Sequence, residues 1–154
     1  MTQSLCCNVL ESLAGKTLVT AESLTGGGIG SALTAISGSS AIYKGGVISY
    51  TNAVKESILG VPGEILEKHG AVSSQTAAAM VSGVRKLLQA DIAISVTGLA
   101  GPGGDDFGNP VGTVFIGYED RHQTVVKSCF FTGNREEIRQ QTIQAALALI
   151  LEQN

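Results

Sequence analysis

Between Asp91 and Thr97 the chain reads DIAISVT, an almost unbroken apolar run. A strand with one wet face alternates apolar and polar residues, whereas a run without alternation belongs to a strand covered on both faces. The flanks agree. Upstream, Ala77, Met80, Val81, Val84, Leu87 and Leu88 recur at helical spacing behind Ser73 or Ser74, either of which can cap a helix over Gln75–Gln89. Downstream lies a glycine-rich stretch from Thr97 to Gly112, too long for a plain connection. A doubly covered strand beside an amphipathic helix points to layers of helices around a sheet.

The other segments fit that frame. Gln3–Ala14 has helical periodicity, and Lys16–Ala21 is a short β-rich run. Thr25–Ser37 reads as a helix and Gly46–Tyr50 as a strand. Thr51 or Asn52 opens a short helix through Leu59, and Pro62 starts another turn of helix to His69. Val111–Glu119 and Gln123–Phe131 form a hairpin about Asp120–His122, and Gly133–Asn134 lead into a last helix, Arg135–Glu152. The expected architecture is a single three-layer α/β/α domain spanning residues 1–154, with a mixed, mostly parallel sheet to which the hairpin adds the antiparallel pair. A length of 154 residues suits one domain.

Composition removes several function classes. With 44% hydrophobic and 15% charged residues, the chain does not have the makeup of a disordered protein. A net charge of −3 argues against a general basic surface for nucleic acid. No apolar run reaches the ~18 residues of a membrane helix. The start, MTQSLCCNVLESLAG, lacks the basic opening of a secretory signal, so a cytoplasmic location is expected. Cys6, Cys7 and Cys129 are odd in number and lack metal-ligand spacing, and neither His69 nor His122 has a partner at such spacing. No metal and no cofactor are expected. The low charge fraction favours a homo-oligomer that hides an apolar patch.

Four stretches carry residues suited to chemistry. In TAESLTGGG (Thr20–Gly28) a strand runs into a serine-containing turn and a glycine-rich helix start. Ser23 there is either a nucleophile or, like Thr25, a helix cap, and the amides after it suit an oxyanion or a phosphate. In YKGGVISYTNAVK (Tyr43–Lys55) tyrosines and lysines flank a strand; Lys55 is a general base if desolvation keeps it neutral, and otherwise a solvated side chain. The loop Thr97–Gly112 offers backbone amides, with Asp105 and Asp106 either as contacts to a sugar hydroxyl or as solvated surface. At the last helix start, Arg135 and Arg139 share a face, either to grip a phosphate or to pair with Glu136 and Glu137.

Five ordered motifs, AESLTGG, GSS with YKGGVISYTNAVK, HGAVS, SVTGLAGPGG and PVGTVF, resemble the CinA C-terminal domain family, the nicotinamide mononucleotide deamidases of the PncC type. The resemblance runs from about Leu10 to Leu151. It implies a competence/damage-inducible-type hydrolase of the pyridine nucleotide cycle, which deamidates nicotinamide mononucleotide to nicotinate mononucleotide and ammonia. It implies Ser23 as nucleophile, Lys55 as base and Tyr50 beside it, a pairing that spacing alone does not supply. The accompanying substrate-binding set is Thr25, Gly26, Gly27, Tyr43, Thr97, Gly98, Gly101, Arg135 and Arg139. The sequence departs from the family pattern at DDFGN (Asp105–Asn109) and at Leu24, where a cysteine is common. The alternative class is a nucleotide- or protein-binding module without catalysis, with the glycine loops as a phosphate cradle.

Overall fold

A computed structural model describes all residues from Met1 to Asn154. Six α-helices and five strands take the expected order: α1 (Thr2–Ser12), β1 (Leu18–Glu22), α2 (Gly28–Thr34), β2 (Tyr43–Ile48), α3 (Asn52–Ser57), α4 (Gly63–His69), α5 (Ser74–Leu88), β3 (Ile92–Gly98), β4 (Thr113–Glu119), β5 (Thr124–Phe130) and α6 (Arg135–Gln153). The strands lie in the order β2-β1-β3-β4-β5. β1 pairs in parallel with β2 and β3, and β4 runs antiparallel to β3 and β5. Four strands therefore point one way, and β4 alone opposes them.

Side-chain alternation sorts the two faces. On β1 and β3, Leu18, Ile92, Ile94 and Val96 enter a cluster with Val9, Ile29, Leu33, Ile143 and Leu147 from α1, α2 and α6. Val19, Ala21 and Ala93 face the other way, toward Leu66, Met80, Val81 and Val84 of α4 and α5. Both faces of β3 are thus dry, as its unalternated sequence requires. No helix is long and apolar enough to cross a membrane.

Two elements differ from the sequence reading. The helix expected from Thr25 begins only at Gly28, because Gly26 (φ +59°) and Gly27 (φ +98°) are left-handed and no right-handed helix passes through them. The strand expected at Gly46–Tyr50 instead spans Tyr43–Ile48. Its glycine pair does not make a turn. A side chain on Gly46 would meet Thr20 Oγ1 and the Tyr43 hydroxyl, so the glycine lets β1 and β2 approach under that tyrosine. Tyr50 consequently lies beyond the strand.

Gly83 of α5 is packed against the α3–α4 connection so closely that an added Cβ would clash with Leu59 O. Gly83→Ala is expected to lower stability by about 1–3 kcal/mol through overpacking. Urea denaturation measures it, and an unchanged midpoint would contradict the packing described.

Candidate active site

The parallel strands β1 and β3 end side by side, and the loops that continue them build a cleft at their carboxyl edge, where open α/β sheets place ligands. Ser23 comes directly after β1; its N–H still bonds Val96 O at 3.1 Å, so the turn stays registered to the sheet. Ser49 likewise extends β2 past its last residue, its N–H donating to Glu22 O at 2.8 Å. The chain then reverses into α3, whose first turn is capped by Thr51 Oγ1 accepting from Val54 N–H. That reversal brings Lys55 back over the sheet edge.

The Lys55 side chain is 1% exposed and Ser23 is 7% exposed. Nζ of Lys55 lies 3.0 Å from Ser23 Oγ, 2.7 Å from Ser49 O and 3.4 Å from Tyr50 O. No carboxylate joins them: the ion pairs of the chain connect Arg85 with Glu119, Lys127 with Glu152, and Arg139 with Glu136. Burial without a counter-charge favours the neutral amine and brings the pKa of Lys55 from 10.5 down to about 8. A neutral amine has two N–H bonds and one lone pair. The carbonyls of Ser49 and Tyr50 take the two N–H bonds, and the lone pair is left for the Ser23 hydroxyl.

Glu22, 2% exposed, points to the opposite face. Its carboxylate accepts from Thr25 Oγ1 (2.6 Å), Ile29 N–H (2.8 Å) and Gly30 N–H (3.0 Å). Glu22 is therefore the cap of α2, a role that neither Ser23 nor Thr25 takes. The early amides of α2 are spent on it, which removes them from any phosphate or oxyanion. Ser23 N–H and Gly26 N–H are spent on Val96 O and Ser23 O. Around the turn, the N–H groups of Leu24, Thr25 and Gly27 make no hydrogen bond within the chain.

The cleft, of about 290 Å³, is lined by Ser23, Leu24, Tyr50, Lys55, Ala71, Val72, Thr97–Gly101, Gly103 and Arg135. Arg135 crosses its mouth, donating to Gly101 O at 2.6 Å and to the Tyr50 hydroxyl at 3.0 Å. Thr97 Oγ1 donates to Ala71 O at 2.7 Å, tying β3 to the α4–α5 link. Of the expected binding residues, Thr97, Gly98, Gly101 and Arg135 line the cleft, together with Ser23, Lys55 and Tyr50.

Five expected binding residues do not line it. Tyr43 lies on the α2 side of the sheet with its hydroxyl 2.7 Å from Thr20 Oγ1, and Gly27 borders the same separate cavity. Arg139 is held away from any phosphate by its bonds to Leu24 O, Thr25 O and Glu136. Thr25 and Gly26 belong to the turn that Arg139 braces, and an added Cβ on Gly26 would lie 3.9 Å from the Arg139 guanidinium. Asp105 is occupied by its own loop, accepting from Asn109 Nδ2, Asn109 N–H and Phe107 N–H. Burial raises its pKa, but those bonds outweigh it and leave the carboxyl below the usual range. Glu22 is the residue missed by sequence reasoning; its signal is an acid directly ahead of a glycine-rich helix start.

The model of the CinA C-terminal domain matches residues 3–154. A putative competence-damage inducible protein of Moorella thermoacetica is 44% identical over 150 residues, which is 93% of this chain and 36% of that protein. A CinA-like protein of Desulfotalea psychrophila is 46% identical over 136 residues, 88% of this chain and 33% of its own length. The chain spans about a third of those relatives. Among solved structures, the competence damage-inducible protein A of Klebsiella pneumoniae superposes with a TM-score of 0.96 at 39% identity, covering 98% of this chain and 95% of that one. The competence/damage inducible protein of Agrobacterium tumefaciens superposes with a TM-score of 0.94 at 38% identity, covering 98% and 94%.

The buried amine has a thermodynamic signature. Between pH 8 and 10.5 the unfolded chain holds a proton on Lys55 that the folded chain has released, so stability rises with pH in that window. Relative to Lys55→Met, wild-type stability is expected to climb by about 3 kcal/mol between pH 7 and 10.5. Urea unfolding at stepped pH measures the difference; parallel curves for the two proteins would contradict a depressed Lys55.

Proposed function

The chain belongs to the CinA C-terminal domain family, and on that premise we propose that it hydrolyses the carboxamide of nicotinamide mononucleotide with Ser23 and Lys55. The observation that carries this reading is the 3.0 Å contact between Ser23 Oγ and an amine with no counter-charge, inside a cleft. With a pKa of about 8, roughly one Lys55 in ten is neutral at pH 7; an ordinary lysine would be neutral about once in three thousand.

In this mechanism Lys55 Nζ accepts the Ser23 proton as Oγ attacks the amide carbon. The Leu24 N–H, on the cleft wall and free of other partners, holds the oxyanion; one such donor is typically worth ~10²–10³ in rate. Lys55, now an ammonium, passes its proton to the departing nitrogen, and ammonia leaves an acyl ester on Ser23. Water attacks that ester with Lys55 again as base and releases the carboxylate. Tyr50 gives Lys55 an anchor through its carbonyl, while its hydroxyl holds Arg135. Leu24, Ala71, Val72 and Leu99 give an apolar lining suited to a pyridine ring, and Arg135 is the mouth cation nearest to where a phosphate would sit.

Ser23→Ala and Lys55→Met are each expected to cut ammonia release from nicotinamide mononucleotide by at least ~10³-fold while the protein stays folded. Wild-type kcat/KM is expected to rise tenfold per pH unit below about 8 and then level off. Either variant keeping more than a few per cent of the wild-type rate would sink the dyad.

A further inference from the structure

The same three bonds that hold Lys55 make the cleft two different sites, depending on one proton. When Nζ is neutral, its lone pair takes the Ser23 hydroxyl hydrogen, and Ser23 shows the cleft only its lone pairs. When Nζ is an ammonium, it donates all three hydrogens, to Ser49 O, Tyr50 O and Ser23 Oγ. The Ser23 hydrogen is then released from Nζ and turns toward the cleft. Beside it, on the cleft wall, stands the unpartnered N–H of Leu24. In that state the Ser23 hydroxyl hydrogen joins this amide as a donor without a partner in the chain, next to a buried cation that no carboxylate neutralises.

We propose that the cleft with Lys55 protonated is a receptor for a small aromatic carboxylate, and that loss of this one proton converts it from a carboxylate binder into a nucleophile. The proposal rests on the deamidase reading only for the carboxylate's identity as the product of amide hydrolysis. The anion would accept from Ser23 Oγ–H and from the Leu24 N–H, and its charge would be balanced by Lys55 through the serine hydroxyl. The walls formed by Leu24, Ala71, Val72 and Leu99 suit a flat ring. A neutral carboxamide gains little from the cation. The product is therefore selected by the protonated state and the substrate by neither, and product release accelerates as the base becomes active.

The charged surroundings leave Lys55 as the group that titrates the anion. Lining the cleft with it, Arg135 is the other charged side chain, and Tyr50 the other titratable one. The turn after β1 supplies only Ser23 and Leu24, the α4–α5 link only Ala71 and Val72, and the end of β3 with the loop after it only uncharged residues from Thr97 to Gly103. Glu22 faces α2 through its bonds to Ile29 and Gly30, and Glu56, next to Lys55 in α3, lies against the start of α4 at Gly63. Burial alone, with no charged neighbour, accounts for the lowered pKa of Lys55.

Isothermal titration of the intact protein with benzoate, and with benzamide as neutral isostere, tests the proposal. Benzoate stays ionised between pH 7 and 9, so its own charge does not vary. Benzoate is expected to bind about tenfold more weakly at pH 9 than at pH 7, and benzamide equally at both. Repeating the pH 9 titration in two buffers of different ionisation enthalpy should show uptake of about 0.9 proton per benzoate bound. Ser23→Ala, which cannot turn over, should keep this pH dependence because the cation remains, and Lys55→Met should abolish it. Equal benzoate affinity at both pH values, absence of proton uptake in the wild type, or unchanged pH dependence in Lys55→Met would each overturn the proposal. Failure to release ammonia from nicotinamide mononucleotide, with benzoate binding intact, would overturn the deamidase reading alone.

Discussion

A lysine side chain sits under the carboxyl edge of the sheet with no carboxylate to neutralise it. Taking an ammonium out of water without a partner costs several kcal/mol, and the protein meets that cost with two backbone carbonyls and one hydroxyl. Those acceptors exist because β2 ends at Ile48 and the chain turns sharply into α3 at Thr51, leaving Ser49 O and Tyr50 O without ladder partners. The strand end, the helix cap and the buried amine form one arrangement. Its result is a base whose lone pair has a single direction in which to point.

The turn that carries Ser23 is fixed with comparable care, from the face of the sheet that α2 and α6 cover. Glu22 locks it to α2 from within, and Arg139 of α6 binds Leu24 O and Thr25 O from the side. These bonds use up the helix N-terminus that a glycine-rich start would otherwise offer to a phosphate. The amides left unpaired are those of Leu24, Thr25 and Gly27, and of these Leu24 lines the cleft. Electrostatic stabilisation of developing charge depends on such donors being held in place before the reaction, not recruited during it. Arg135 plays the complementary part at the mouth, linking Tyr50 to Gly101 across the opening.

Much of this is legible in the residues. DIAISVT announces the central strand, Ser73 and Thr51 announce their helices, and the late hairpin lies within a residue or two of its sequence limits. Tyr43 and the glycine pair mislead, because Gly45–Gly46 looks like a turn in one dimension and is an edge strand in three, with Tyr43 folded over Thr20. Thr25 and Gly26 have the pattern of a helix start, and only backbone geometry reveals the left-handed glycines that delay it. The meeting of Ser23 with Lys55 is not deducible from spacing, since it depends on the parallel pairing of β1 with β2, which no local pattern encodes. Family motifs supply it. Glu22 is in plain view, but its bonds reach seven and eight residues ahead, beyond the usual capping distance.

The most direct measurement is the ionisation of Lys55 itself. In protein labelled with lysine carrying ¹³C at the ε carbon, the Lys55 methylene resonance, assigned by its loss in Lys55→Met, is tracked from pH 6 to 11. A midpoint near 8, well apart from the exposed lysines, is what a desolvated amine facing Ser23 requires. A midpoint at or above 10 would mean that the amine is charged at neutral pH in nearly every molecule, and the base assigned to this site would not exist.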